Sequence, residues 1–410
     1  MPYIADLHIH SKYSRATSKN MDVENLTKWA KIKGIGLLGT GDFTHPEWLK
    51  ELKGKLTEKE YGIYSCDGIN YILSAEVSNI YFKKGKTRKI HNIIIAPSFA
   101  VVDEINKALS PYGALNSNGR PILSFECDKM AKSLRKLNED IMIIPAHIWT
   151  PHFGLLGSNS GFDSIEECFG GEASHITALE TGLSSDPAMN WRLSALDKYT
   201  LVSNSDAHSP SKIGREVNVF KEETGYKELK EILEKKDKEK FMYTVEFFPE
   251  EGKYHWDGHR KCNARLSPQE SAKINYKCPS CGKKVTVGVM NRVEKLADRP
   301  EGFTLENSPG YKSLIPLIEI VADALGVGKE SMGAQREYNS LIQRLGSEFD
   351  ILLFISKDEI LAKCPPKIAK GIISVREGRV KVLPGYDGAY GKIEIFGKDD
   401  EKEEKQLTFF

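Results

Sequence analysis

Short apolar, β-branched runs recur along the first half of the chain, at residues 3–8, 36–41, 71–82, 91–97, 141–147, 176–180 and 199–205. Their length and composition predict buried strands. Between several of them lie stretches with apolar residues at helical spacing, at 22–33, 101–109, 126–137, 187–196 and 226–236. In the first, Val23, Leu26, Trp29, Ala30 and Lys33 fall 3.6 residues per turn behind Asp22 as N-cap. Strands alternating with helices predict an α/β domain, either a barrel or a doubly wound sheet. The alternation stops near Pro249. A short segment rich in Gly, Pro, Cys and Lys follows, then helical periodicity at 313–325 and 331–345. Strand-like runs close the chain at 350–355, 371–375, 379–383 and 392–396. The predicted domains are therefore 1–247, a small module at 248–300, an α+β domain at 301–396, and a mixed-charge tail at 397–410 that is expected to be disordered.

The polar residues that end the apolar runs choose between the two architectures. Asp6-Leu7-His8-Ile9-His10 opens the series, followed by Gly41-Asp42-Phe43-Thr44-His45, Glu76, His91, His147, Glu180 and Ser205-Asp206-Ala207-His208. In a βα barrel the C-terminal strand ends converge on one mouth, whereas an open sheet spreads them along an edge. A barrel is expected. His-x-His puts both rings on one face of an extended strand, and imidazole with carboxylate is the donor set of a hydrolytic metal site.

Length and composition narrow the class. With 410 residues, 40% hydrophobic and 28% charged, two or three domains are expected. No apolar stretch approaches the roughly 20 residues of a membrane span, and no basic-then-apolar leader precedes the first strand, so a cytoplasmic protein is expected. The net charge of +1 averages over unlike parts: residues 253–300 hold eleven Lys/Arg against four acids, a net +7 that leaves −6 for the rest. A compact basic module is what binding to a phosphate backbone requires. Arg260, Lys261, Arg265, Lys283, Lys284 and Arg292 are its candidate DNA contacts.

Three of seven cysteines cluster in that module. His259-Arg-Lys-Cys262 and Cys278-Pro-Ser-Cys281 are knuckles of two-residue spacing separated by fifteen residues. The pattern predicts tetrahedral zinc on three thiolates and one imidazole, with His255 as the alternative to His259. A metal would supply folding energy that so small a module cannot draw from a core. Cys66, Cys127, Cys168 and Cys364 have no such partners and are expected as small buried or half-buried side chains.

The cluster order over roughly the first 247 residues resembles the polymerase-and-histidinol-phosphatase (PHP) superfamily. The resemblance implies a distorted seven-stranded βα barrel, two or three divalent ions and phosphoester hydrolysis. It implies His8, His10, Glu76 and Asp206 around a first ion, and Glu76, His91 and His147 around a second. His208 with Asp42 would hold a third. Phe43 stands where the superfamily has His, which makes His45 the candidate substitute. Asp42, His45, His152 and Glu180 are the candidate catalytic residues, and Asp6 and Arg192 further candidates for supporting or phosphate contacts. The barrel ions are expected to be zinc, with magnesium or manganese as alternatives for activity.

The barrel, this zinc module and the third domain together resemble the endonuclease Q family of DNA-repair enzymes. The stretches that carry this are Glu180-Thr-Gly-Leu-Ser-Ser-Asp-Pro, Lys253-Tyr-His-Trp-Asp-Gly-His259 and Arg299-Pro-Glu-Gly-Phe-Thr-Leu-Glu-Asn-Ser-Pro-Gly310. The resemblance implies cleavage of single- or double-stranded DNA on the 5′ side of a deaminated base (uracil, hypoxanthine, xanthine) or an abasic site. A nucleotide read in this way has to leave the stack. Loops near the mouth are its expected pocket, with Tyr13, Gly171, Ser185 and Asn190 as candidates. The terminal Gln406-Leu-Thr-Phe-Phe410 is similar to a sliding-clamp (PCNA) interaction box. The competing readings are a small-molecule phosphatase of the same superfamily and a non-catalytic DNA-binding protein.

Overall fold

Each of the seven apolar runs contributes a strand: β1 (Tyr3–Asp6), β2 (Leu37–Gly39), β3 (Ile69–Lys83), β4 (Lys86–Ala96), β5 (Met142–Pro145), β6 (Ala178–Glu180) and β7 (Thr200–Val202). Two more follow, β8 (Val217–Phe220) and β9 (Phe241–Glu246). The computed structural model describes residues 2–396. The tail, with the clamp-like motif at 406–410, lies outside the described residues.

The topology departs from a regular βα repeat. β1–β2 and β2–β3 pair parallel, but β3 and β4 form a long antiparallel hairpin, β4–β5 is antiparallel, and β8 adds antiparallel to β1. β6 and β7 make a separate parallel pair. Single bonds join that pair to the large mixed sheet: Ile148 N donates to Glu180 O (3.1 Å), Asp206 N to His8 O (2.9 Å) and His10 N to Ala207 O (3.0 Å). The α/β fold is as expected, built on a mixed sheet whose last neighbours meet through isolated bonds just past the strand ends. Side chains such as Leu7, Ile72, Ile93, Ile144, Ala178, Val202 and Phe220 form its core, all at most 1% exposed.

The helices follow the periodicity: Val23–Lys33, Phe99–Leu109, Cys127–Leu137, Pro187–Trp191 and Tyr226–Lys235. Asp22 Oδ1 accepts from Asn25 N (2.9 Å), which makes it the N-cap of the first. Cys127, Cys168 and Cys364 are buried and Cys66 is half-buried.

The chain divides into two compact units that are not consecutive segments. Among the described residues, one holds 2–31, 35–246 and 289–312; the other holds 32–34, 247–288 and 313–396. The expected module at 248–300 is therefore cut at 288. In the second unit, strands Asp257–His259 and Ala264–Leu266 pair antiparallel, as do Lys381–Leu383 and Lys392–Glu394. The loop between the latter two locks onto the metal knuckles: Tyr386 Oη donates to Asn263 Oδ1 (2.7 Å), Thr286 Oγ1 to Asp387 Oδ1 (2.5 Å) and Arg260 N to Asp387 Oδ2 (2.6 Å).

Two expected strands of this unit are helical. Residues 350–355 form the π-helical turn Asp350–Phe354, and 371–375 lie inside helix Pro366–Arg376. In the latter, Ile368, Ala369, Gly371, Ile372, Ile373, Ser374 and Val375 are all buried. Five consecutive buried positions, 371–375, carry no amphipathic period, so this β-branched run reads as a strand.

Candidate metal centre

Two clusters of ligand atoms share one carboxylate. His8, His10, Glu76 and Asp206 bring their donor atoms within 4.8 Å of one another, and so do Glu76, His91 and His147. Glu76 divides its oxygens between them. Oε2 lies 3.1 Å from His10 Nε2 and 3.5 Å from His8 Nε2, while Oε1 lies 2.6 Å from His91 Nδ1 and 3.0 Å from His147 Nε2. Asp206 Oδ1 stands 2.9 Å from His10 Nε2.

The strands set this arrangement in two ways. His8, His10, His147 and Asp206 follow strand ends, as expected. Glu76 and His91 do not: both sit inside the β3–β4 hairpin, at neighbouring registers (Glu76 opposite Ile93, Ser78 opposite His91). Asp42, His147 and Asp206 adopt left-handed backbone (φ of 47°, 31° and 47°) just beyond their strands. Non-glycine residues rarely hold that conformation, and it concentrates where a side chain is re-aimed for function.

The donor atoms fit divalent ions. His8 Nε2, His10 Nε2 and Asp206 Oδ1 are buried and have no hydrogen-bond partner, although they face one another. Unpaired buried polar atoms are costly, and a cation between them satisfies all three. Burial disfavours charge on His8 and His10, yet Glu180 and Glu76 around His8, and Asp42 and Asp206 around His10, hold both well above their ordinary pKa. Burial likewise opposes charge on Glu76, but His91, Arg120 and His8 hold its pKa well below the usual range. The pocket is thus built for positive charge.

Behind the donors stands a layer that orients them. His8 Nδ1 meets Glu180 Oε1 (3.0 Å) and His10 Nδ1 meets Asp42 Oδ1 (3.0 Å). Glu180 also accepts from His147 N (2.8 Å) and Asn204 Nδ2 (2.9 Å). Asp42 Oδ2 accepts from Ser11 N (2.7 Å), Ser11 Oγ (2.6 Å) and Ser14 Oγ (2.8 Å). Both oxygens of Asp42 are therefore engaged, which replaces its expected place on a third ion. His208 lies beside His10 (ring centroids 4.5 Å apart) with Nδ1 against Asp206 O (2.8 Å), outside both clusters. Asp6 accepts from Ser205 N (3.1 Å) and Gly214 N (2.8 Å) and so fixes the loop that carries Asp206.

Other candidates fall elsewhere. His152 is exposed and bonded to Asn159 Nδ2 (3.0 Å). His45 caps helix Pro46–Lys55 and stacks on half-buried Tyr13 with centroids 4.4 Å apart, outside both clusters. Arg192 is buried and paired with Glu294 (2.7 Å). Gly171 is exposed in a turn that precedes β6, at the end of the strand opposite Glu180. Ser185 and Asn190 are fully buried. Asn190 Nδ2 bonds Ser185 Oγ (3.3 Å) and Asp186 O (2.8 Å) while its Oδ1 accepts from Trp149 Nε1 (2.8 Å), so it pins its loop and has nothing left for a base. Arg120, whose Nη1 lies 2.9 Å from Glu76 Oε2, joins the site without any signal in the sequence pattern.

In the other unit, His259, Cys262, Cys278 and Cys281 bring their donor atoms within 4.8 Å of one another. Tetrahedral ligands at ~2.3 Å from zinc stand about 3.8 Å apart, and His259 Nδ1 is 3.4 Å from Cys281 Sγ. His255, the alternative, is buried outside the cluster. Burial raises the Cys278 thiol, but the backbone N–H groups of Ser280 and Cys281 outweigh it and lower its pKa to about 6. Arg260, Lys261, Arg265, Lys283 and Lys284 are exposed. Arg292 is not: it lies in the first unit, buried, with Nε on Leu156 O (2.9 Å) and Nη2 on Phe162 O (2.9 Å) and Asp163 Oδ1 (2.6 Å). Its role is structural.

This α/β fold, with paired ligand clusters on a shared carboxylate, is that of a hydrolase acting on phosphodiester bonds. Residues 316–379 match the family model of the MJ0043 C-terminal domain. The chain is 30% identical over 407 residues to the uncharacterized protein YqxK of Bacillus subtilis (strain 168), covering 95% of this chain and 98% of that one. It superposes on the crystal structure of the lesion-specific endonuclease PfuEndoQ from Pyrococcus furiosus with TM-score 0.87 and 32% identity, over 98% of this chain and 99% of that one. Endonuclease Q in complex with a 27-mer duplex carrying an abasic lesion at the active site gives TM-score 0.85 and 32% identity, with 98% of each chain covered. The chain belongs to the endonuclease Q family.

Proposed function

We propose that this chain is a metal-dependent DNA-repair endonuclease that hydrolyses the phosphodiester on the 5′ side of a deaminated base (uracil, hypoxanthine, xanthine) or an abasic site. The observation that carries the reading is Glu76, one oxygen turned to each of two ligand clusters, in the first of which His8 Nε2, His10 Nε2 and Asp206 Oδ1 have no hydrogen-bond partner. Two divalent ions held there, zinc or else magnesium or manganese, would supply an activated water and neutralise the attacking and leaving oxygens. The chain's own residues set the geometry. Glu76 fixes the separation of the clusters, Glu180 and Asp42 hold His8 and His10 in one orientation, and Asp6 anchors the Asp206 loop. Tyr13, seated on His45 beside the Ser11–Ser14 turn, is the remaining candidate to stack against an unpaired base. Zinc on His259 and the three cysteines would hold the exposed Arg260, Lys261, Arg265, Lys283 and Lys284 in one basic surface for the DNA backbone.

The decisive experiment uses end-labelled duplexes with one uracil, one hypoxanthine or one abasic site, against an undamaged control. A single cut 5′ of the lesion is expected, abolished by chelator and restored by a divalent ion. Equal cutting of undamaged duplex, or cleavage that survives chelation, refutes the reading.

A further inference from the structure

Arg120 sits in the loop that leads into strand Ile122–Leu123, and the chain grips it from several sides. Gly119 N donates to Tyr13 O (3.0 Å), Thr44 Oγ1 to Gly119 O (3.1 Å) and Ser78 N to Pro121 O (2.9 Å). Asn118 Oδ1 accepts from both Arg15 N (3.1 Å) and Arg120 N (3.2 Å). A Cβ on Gly119 would fall 2.2 Å from Asp42 Oδ2, so the loop backbone lies directly against the layer that orients His10. The result is a guanidinium with Nη1 on Glu76 Oε2 and a side chain 27% exposed. Its Nε and Nη2 meet no acceptor among the described residues. A cation needed only to balance Glu76 has no use for a planar fork with two further donors. Such a fork suits the paired oxygens of a phosphate.

We propose that Arg120 is a catalytic residue of this site, donating from Nε and Nη2 to the non-bridging oxygens of the phosphodiester under attack. The inference rests on the endonuclease reading above. In that reaction a water oxygen bonds to phosphorus and the P–O3′ bond breaks. The water gives up one proton and the leaving oxygen takes one to become the 3′-hydroxyl. Negative charge grows on the non-bridging oxygens on the way. A fixed guanidinium gains most there, so it accelerates the chemical step more than it tightens substrate binding.

The test uses full-length, metal-loaded protein, Arg120→Ala and Arg120→Lys, and a duplex with one abasic site. For Arg120→Ala, kcat should fall by about 10²–10³-fold while KM rises only severalfold, with metal content per chain unchanged. Added guanidinium should restore part of the loss. Arg120→Lys should recover only part of the rate, and it carries the comparison if the alanine variant fails to fold. Binding should weaken for a duplex with an ordinary phosphodiester at the scissile position and match the parent for one with a neutral methylphosphonate there. Loss of metal in step with loss of rate, or equal weakening on both duplexes, would reduce Arg120 to a positioning residue for Glu76 and overturn the proposal. So would an unchanged kcat. If the parent protein leaves the abasic duplex uncut, the endonuclease reading fails on its own, and the binding comparison still decides Arg120.

Discussion

Glu76 lies midway along a strand whose neighbours Ala75 and Val77 are buried core. A carboxylate there is costly unless charge and hydrogen bonds meet it, and here the Arg120 guanidinium and the imidazoles of His8, His10, His91 and His147 surround it. Sequence alone marks Glu76 as an acid within an apolar run, which is a strong signal. It gives no such signal for Arg120, which is one basic residue in a polar loop, or for the pairing of His8 with Glu180, 172 positions away. The orienting carboxylates can be tested one at a time. Glu180→Ala and Asp42→Ala should each weaken metal binding about 10–100-fold, read by titration against a competing chelator, with far-UV circular dichroism unchanged. Affinities equal to the parent's would refute their orienting role.

At the scale of elements, the strand ends and the loops after them do the positioning. Gly182, in the loop after β6, has φ of +63°, and a Cβ on it would fall 2.4 Å from His147 Cβ. Alanine there meets both a left-handed backbone, about 1–2 kcal/mol, and a collision with a ligand residue that is itself held at positive φ. Gly182→Ala should therefore lower both thermal stability and activity, and disturb the His91–His147 cluster more than the His8–His10 cluster. Metal stoichiometry falling from three ions per chain to two, the zinc at His259 and the three cysteines being retained, would be the signature. Full stoichiometry with full activity would show that the loop relaxes freely. The same scale explains what the periodicity misread. The hairpin of β3 and β4 looks like two βα strands because each reads as a separate β-branched run, and only the antiparallel register brings Glu76 and His91 together. Part of helix Pro366–Arg376 looks like a strand because residues 371–375 are buried at every position.

The whole molecule adds constraints that no single segment carries. Glu246, at the end of β9, is fully buried and accepts from Thr181 Oγ1 (3.0 Å), Ser203 Oγ (2.9 Å) and Thr244 Oγ1 (2.5 Å), groups drawn from three different strands and loops. Burial, reinforced by Asp186, raises its pKa to about 8 against those hydroxyls. The folded state thus favours the neutral acid. Its contribution is fully present below the unfolded pKa near 4.5 and is lost as pH rises through about 8. Glu246→Gln is neutral at every pH, so the Tm of the parent should drop relative to this variant between about pH 4.5 and pH 8 and level off above it. Parallel Tm curves would refute the shift. The basic module shows the same dependence on the whole. Its charge was legible, but Arg292 belongs to the other unit, where Leu156, Phe162 and Asp163 bury it.

By itself the sequence determined the seven strand positions of the first 205 residues, the α/β class, the pairing of imidazoles with carboxylates and the four-residue knuckle site. These follow from short-range regularities: apolar runs, His-x-His, and two cysteines two residues apart. Tertiary structure alone decided that Glu76 serves both clusters, that Asp42 stands behind His10 rather than on an ion, that Asn190 is consumed within its loop, and that Arg120 faces the site. Each of these is a contact between residues far apart in the chain, set by antiparallel register and loop closure, and such contacts leave no periodic trace in a single sequence.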